Sequence, residues 1–141
     1  SVAVALPDGL ITPIVRSANR KSISDISNEI HSLVTRAKAG TLKPEEFQGG
    51  TFSVSNLGML GVRQFDAIIN PPQSAILAIG AGELRAVVRD GQIVARHQMT
   101  VSLSCDHRVI DGAAGAAFLR ELKRLIETPT LMFIQETSYA R

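Results

Sequence analysis

The stretch from Ser104 to Gly112 constrains this chain more than any other. An apolar run, Met99 to Leu103, leads into it, and an Ala-rich helical pattern leads out. Between them stand Asp106, His107, Arg108 and Asp111, four ionisable side chains within six residues. Charged groups are rarely buried unless paired. A fold that ends a buried strand on such a cluster must therefore supply partners, and sites are where such partners are usually arranged. An imidazole at the end of a buried strand can be held in one tautomer and near neutral charge, as a general base requires.

Strand and helix patterns are mixed along the rest of the chain. Ser1 to Leu6 is rich in strand formers, Pro7-Asp8-Gly9 is a turn signal, and Leu10 to Val15 reads as a second strand interrupted by Pro13. Ile23, Ile26, Ile30, Leu33, Val34 and Ala37 recur at helical spacing and predict a helix over Ser24 to Ala39. Ser22 and Asp25 have the offset of a capping box, and Gly40 suits the stop. Lys43 to Phe47 predicts a short helical turn, broken by Gly49-Gly50. Thr51 to Val54, Ser74 to Ala81 and Met99 to Ser104 read as strands, the last two buried. Arg85 to Arg89 and Ile93 to His97 flank Asp90-Gly91, a strong hairpin signal. A second long helix is predicted over Ala113 to Glu127, with Phe118, Leu119, Leu122, Leu125 and Ile126 on its apolar face and Pro129 ending the pattern. Leu131 to Ile134 reads as a short apolar terminus and Gln135 to Arg141 as a loose tail. The fold class expected is α/β, a two-layer sandwich of mixed sheet and helices.

The 141 residues amount to one domain or part of one. A complete domain of that length buries roughly 70% of its unfolded surface, and 45% apolar residues suffice for a core. A net charge of +2, with 4% aromatic residues and no Trp, argues against a nucleic-acid surface. One cysteine, Cys105, precludes an internal disulfide framework and points to a reducing compartment. No apolar run reaches the ~18 residues of a membrane span. There is no initiator Met and no signal-peptide pattern, and the chain opens inside a strand-like run, as the cut end of a larger protein would.

Several residues carry more than one reading. On the segment alone His107 is either a general base or a satisfied structural histidine. Asp111 falls at or near the N-cap of the second long helix, a sufficient role in itself. Asp106 and Arg108 read as local scaffolding of the turn. Cys105 raises a Cys-His hydrolase, but alternate residues of a strand stand ~6.5 Å apart along it, long for a thiol–imidazole hydrogen bond. It is read instead as a small buried apolar residue. Gly58-Met59-Leu60-Gly61 and Asn70-Pro71-Pro72 either shape a narrow channel or simply connect strands. Gly80-Ala81-Gly82 lacks the lysine and spacing of a phosphate loop. His31, His97 and His107 lie far apart without ligand-like neighbours, so no metal site is expected, and His31 reads as a surface residue.

Asp106-His107-Arg108-Val109-Ile110-Asp111-Gly112 resembles the DHRxxDG signature of the dihydrolipoamide acyltransferases, the E2 components of the 2-oxo-acid dehydrogenase complexes. Leu10 to Arg16, Phe52 to Met59 and Ile69 to Gln73 also fit, in the same order. The resemblance reaches from the start of the chain to about Phe133. It implies a chloramphenicol-acetyltransferase-like fold, N-terminally truncated, with residues 1–134 forming the C-terminal part of the catalytic domain and 135–141 a tail. His107 would remove a thiol proton, and Ser55, otherwise an ordinary strand-end serine, would donate a hydrogen bond to the oxyanion. Ser53, two residues away, shares its face and is the distractor. Asp111 would hold the active-site geometry by pairing with an arginine from a region this chain lacks.

The resemblance further implies acyl transfer between dihydrolipoamide and coenzyme A, with the lipoyl group on an upstream domain, and without a metal. The three motifs around Gly58, Ile69 and Ser104 are similar to pyruvate-dehydrogenase E2 cores, so acetyl is favoured over succinyl or branched-chain acyl groups. Implied partners are a homotrimer built into a cubic or dodecahedral core, with His107 and Ser55 of each site from neighbouring subunits, and E1 and E3 components through upstream domains. The implied compartment is the bacterial cytoplasm or the mitochondrial matrix. Exposed Leu131, Met132 and Phe133 would suit subunit contacts. The chain alone would show little or no activity. A non-catalytic structural core is the alternative of another class.

Overall fold

A computed structural model describes residues 1–135. In it a three-stranded mixed sheet forms from β3 (Ser53–Asn56), β4 (Ala75–Ile79) and β7 (Val101–Cys105). β4 is central, parallel to β3 and antiparallel to β7. Its Ala75, Ile76, Leu77 and Ala78 are all buried, the continuous apolar run of a strand covered on both faces. β1 (Val4–Leu6) and β2 (Gly9–Ile11) pair as a short antiparallel hairpin. Val2 bridges to Val54, with the Val54 amide donating to Ser1 and the Ala3 amide donating to Val54, so the N-terminal segment runs beside β3.

Register decides which side the helices cover. Val54 opposes Leu77, Leu77 opposes Leu103 and Ala75 opposes Cys105, so these residues share one face. α2 (Gly112–Glu127) lies on that face: a Cβ added at Gly115 would stand 3.7 Å from Leu103 and 3.8 Å from Cys105. Phe52, on the same face as Val54, meets Phe118 of α2 with ring centroids 5.5 Å apart. α1 (Ile23–Lys38) packs on β1, with Leu33 and Ala37 buried beside Val4. Val4 shares the face of Val2 and therefore of Val54. Both long helices thus cover one side of the sheet, the two-layer arrangement expected.

The helix boundaries follow local chemistry. Ser22 caps α1 by accepting from the Asp25 amide, and its hydroxyl donates to the Asp25 carboxylate, a variant of the capping box. At the other end Gly40 takes φ 67°, the left-handed conformation of a helix stop. The predicted turn at Lys43 to Phe47 is a 3₁₀ turn, Pro44–Glu46, tied to α1 by Arg36 donating to both oxygens of Glu46.

β5 (Glu83–Arg89) and β6 (Gln92–Gln98) form the expected hairpin. Asp90 at φ 51° and Gly91 at φ 76° make the paired left-handed corner that matches strand twist. Among the described residues this hairpin pairs with no other strand, and Leu84, Val88 and Ile93 of one face are exposed.

Three expectations are corrected. The second strand stops at Ile11 rather than reaching Val15, because Pro13 has no amide to donate; its carbonyl accepts from Val2 instead. Leu131 to Ile134 belongs to a helix, α3 (Thr130–Gln135), packed on α2. Leu131 and Met132 are consequently half-buried, and only Phe133 of the three is exposed. Of the tail expected from Gln135, residues 136–141 lie outside the described residues. No described helix is long and apolar enough to cross a membrane.

A buried polar relay pins the start of β3. Ser53, at 1% exposure, donates to Gln73 Oε1 at 2.6 Å, and Gln73 Nε2 donates to Ser1 Oγ at 2.8 Å. Replacing Ser53 with Ala leaves Gln73 Oε1 buried without its donor, and denaturant unfolding should report a loss of about 1–3 kcal/mol.

Candidate active site

β7 ends at Cys105, and the chain then turns through Asp106 to Ile110 into the N-cap of α2. Asp106 is the hub of that turn. Its amide donates to Ser74 O at 2.8 Å, just before β4, and its carbonyl accepts from the amides of Val109 and Ile110 at 3.0 and 2.9 Å. Its carboxylate accepts from the Arg108 amide at 3.0 Å, from Nε at 2.9 Å and from Nη2 at 2.6 Å. The hydrogen bonds from the Arg108 side chain, then that from its amide, hold the Asp106 carboxyl down at about 2. The same pairing raises the Arg108 guanidinium above its ordinary value.

Asp111 closes the turn. At φ −80° and ψ 167° it is the N-cap of α2, and its Oδ1 accepts from the Ala114 amide at 2.8 Å. Both ends of the loop carrying His107 are therefore held by carboxylates that accept backbone amides.

His107 is exposed and lines a cavity of about 310 Å³. Leu103, Cys105, Ile110 and Leu119 are among its apolar walls, and Asp111 stands at its edge. Gly112, Gly115 and Ala116, all on the first turns of α2, leave the volume open. The structure thus brings His107 and Asp111 to one concave site between β7 and α2. The imidazole takes no hydrogen bond from another described residue. The turn places it at the cavity, and it is not buried at a strand end as the sequence suggested.

Ser55 lies elsewhere. It opposes Ala78, which opposes Ser102, so it occupies the sheet face away from Leu103, Cys105 and α2. Two strand spacings, ~10 Å, separate β3 from β7 across the sheet. Ser55 does not line the His107 cavity. Ser53 shares its face, as expected, but is fully buried on Gln73 and structural.

Cys105 departs from its reading as a buried apolar residue. It is half-buried and forms part of the cavity wall, because Gly115 opposite it has no side chain to cover the sulfur. Gly58–Leu60 is a 3₁₀ turn with Met59 and Leu60 largely exposed; neither it nor Asn70-Pro71-Pro72 lines the cavity. His31 and His97 are exposed on α1 and β6. No three described His, Cys, Asp or Glu side chains cluster as metal ligands. The sequence reading passed over Ile110, Gly115 and Leu119 as wall residues. The small residues of α2's first turn were their only signal.

A strand, a turn and a helix thus present His107 at a cavity beside the capping Asp111. The chain belongs to the 2-oxoacid dehydrogenases acyltransferase family: the family's catalytic-domain pattern matches residues 1–134.

Among its relatives, the dihydrolipoyllysine-residue acetyltransferase component of the pyruvate dehydrogenase complex of Rhizobium meliloti is 58% identical over 133 residues, 94% of this chain and 30% of that protein. The component of the same name from Rickettsia felis is 54% identical over 134 residues, 95% of this chain and 32% of that protein. This chain therefore spans about a third of the length of these relatives. Azotobacter vinelandii dihydrolipoamide acetyltransferase superposes with a TM-score of 0.87 at 34% identity, over 94% of this chain and 54% of that one. A serine, a histidine and an asparagine of that enzyme were investigated for roles in its catalytic mechanism. The cubic core of a pyruvate dehydrogenase multienzyme complex superposes equally well, with a TM-score of 0.87 at 35% identity and the same coverage.

The depressed Asp106 carboxyl gives the pH dependence a sign. Its ionised form is favoured by folding, so its contribution to stability is present above the ordinary carboxyl value of ~4 and is lost as pH falls toward 2. The melting-temperature advantage of wild type over Asp106→Asn should be small at neutral pH, since the pair is on the surface, and should vanish on acidification through that window.

Proposed function

We propose that this chain forms part of the catalytic core of a dihydrolipoamide acetyltransferase, moving an acetyl group between the thiols of dihydrolipoamide and coenzyme A. The observation that carries the proposal is the placement of His107 at the mouth of an apolar cavity, four residues before a capping aspartate, in a chain of this family. Ser55, His107 and Asp111 are spaced along this chain as the serine, histidine and asparagine investigated in the Azotobacter enzyme are along that one. The third residue differs, aspartate here against asparagine there, and both cap a helix well.

His107 acts as general base on the coenzyme A thiol. A thiol near pKa 8.5 is mostly protonated at neutral pH, and the thiolate is the nucleophile. As the proton passes to the imidazole, sulfur attacks the acetyl thioester of dihydrolipoamide. Ser55 donates a hydrogen bond to the oxyanion of the tetrahedral intermediate. Collapse expels the dihydrolipoamide sulfur, which takes the proton back from His107. Apolar walls suit the uncharged thioester and exclude competing water. Asp111 holds the turn and the start of α2. Its second oxygen accepts no hydrogen bond from a described residue and is free for the arginine that the family resemblance implies.

Ser55 and His107 lie on opposite faces of one sheet, which supports a site completed between subunits. A homotrimer, assembled into a larger cubic or dodecahedral core, supplies the second residue. The exposed apolar face of the β5–β6 hairpin and exposed Phe133 are surfaces such an assembly covers. Residues 1–134 are the C-terminal part of the catalytic domain in this reading. The lipoyl group and the E1 and E3 contacts belong to other domains, and the compartment is the bacterial cytoplasm or the mitochondrial matrix.

Acetyl transfer from acetyl-coenzyme A to dihydrolipoamide, measured on the full-length assembled protein, tests the assignment. His107→Ala should lose several orders of magnitude in kcat with assembly unchanged. Ser55→Ala should lose ~10²–10³-fold. Near-normal transfer by His107→Ala would remove the base. Residues 1–141 alone should turn over little or no substrate in the same assay, since they span only 54% of the Azotobacter chain and leave the cleft incomplete.

A further inference from the structure

We propose that the Arg108–Asp106 fork is a positioning device for His107, setting the aim of the imidazole without touching the reacting atoms. The inference rests on His107 being the base. Its geometric ground is that the fork spans His107 itself: Asp106 and Arg108 are its two neighbours, joined across it by contacts from the Arg108 amide, Nε and Nη2.

The two ends of the turn are fixed independently, by the Asp106 amide on Ser74 and by Asp111 on the Ala114 amide. Between those ends the Asp106 carbonyl accepts from the Val109 and Ile110 amides, which shapes the backbone around His107, while the side-chain rotamer aims the ring. The ring itself has no described hydrogen-bond partner to hold it. The Arg108 side chain adds a further brace across His107 by holding the Asp106 carboxylate that accepts the Arg108 amide, and so limits how far the backbone carrying the ring can shift.

Energetics separate this role from a structural one. Arg108 is 88% exposed, and ion pairs at such sites contribute little to folding. The fork therefore matters little to whether the chain folds and much to where one ring points. Misplacement by about 1 Å costs up to ~10²-fold in rate. A planar guanidinium can present two donors to one carboxylate in fixed geometry, whereas an ammonium cannot.

The test compares wild type, Arg108→Gln, Arg108→Lys and His107→Ala in the full-length assembled protein. It reads kcat, KM for both substrates, the pH profile and the melting temperature. Arg108→Gln and Arg108→Lys should each lower kcat about ten- to hundredfold. KM should stay within about twofold, with the pH inflections and melting temperature nearly unchanged. Failure of lysine to rescue identifies the fork and not the charge. The proposal is overturned by normal kcat in Arg108→Gln, by rescue in Arg108→Lys, or by a loss that follows the melting temperature. An inactive His107→Ala beside a normal Arg108→Gln removes the positioning role alone. An active His107→Ala removes the base and the positioning role together.

Discussion

One backbone hydrogen bond, from the Asp106 amide to the Ser74 carbonyl, ties the turn that carries His107 to the centre of the fold. Ser74 immediately precedes β4, the most deeply buried strand, and Asp106 immediately follows β7, its antiparallel neighbour. The bond continues the ladder by one step and then ends it, because the Asp106 carbonyl turns inward to accept from Val109 and Ile110. From there the chain can only leave the sheet. His107 is thereby presented at a strand end on a rigid base, while its own side chain stays uncommitted. A packed strand supplies the precision that a mobile loop could not, and an open turn supplies the exposure that a strand interior could not.

The second consequence of the same pairing is a division of labour between faces. Leu103 and Cys105 look toward α2, with Gly115 holding the helix close and the cavity open. Ser102, Ala78 and Ser55 look the other way. The alternation of a strand is strict, so no adjustment of side chains brings Ser55 around to His107 within one copy. The site proposed from both would therefore cross a boundary between copies, and the uncovered apolar face of the β5–β6 hairpin is surface that a lone two-stranded ribbon does not stabilise by itself.

Much of this was legible wherever a local signal had a local cause. Ser22 capped the helix that the Ile23–Ala37 periodicity predicted, within a residue at each end. Asp111 capped α2, and Asp90-Gly91 turned the hairpin. The roles of Asp106 and Arg108 as scaffolding followed from their charge and adjacency, and the fork between them matches that reading. α3 was not legible, because six residues after a proline are too short to nucleate a helix alone and form one only by packing on α2. The half-exposure of Cys105 was hidden for a similar reason: it depends on a glycine ten residues later in the chain and opposite it in space.

By itself, then, the order of residues determined the elements, their caps and the chemical inventory of the DHRxxDG turn, since propensity, capping and turn chemistry act over a few residues. Only the tertiary structure decided that His107 stands exposed at a cavity, that Ser53 is a buried strut while Ser55 is not, and that Ser55 and His107 face opposite ways. Those outcomes depend on strand register and on which helix covers which face, and register is set by pairings between segments far apart in the chain.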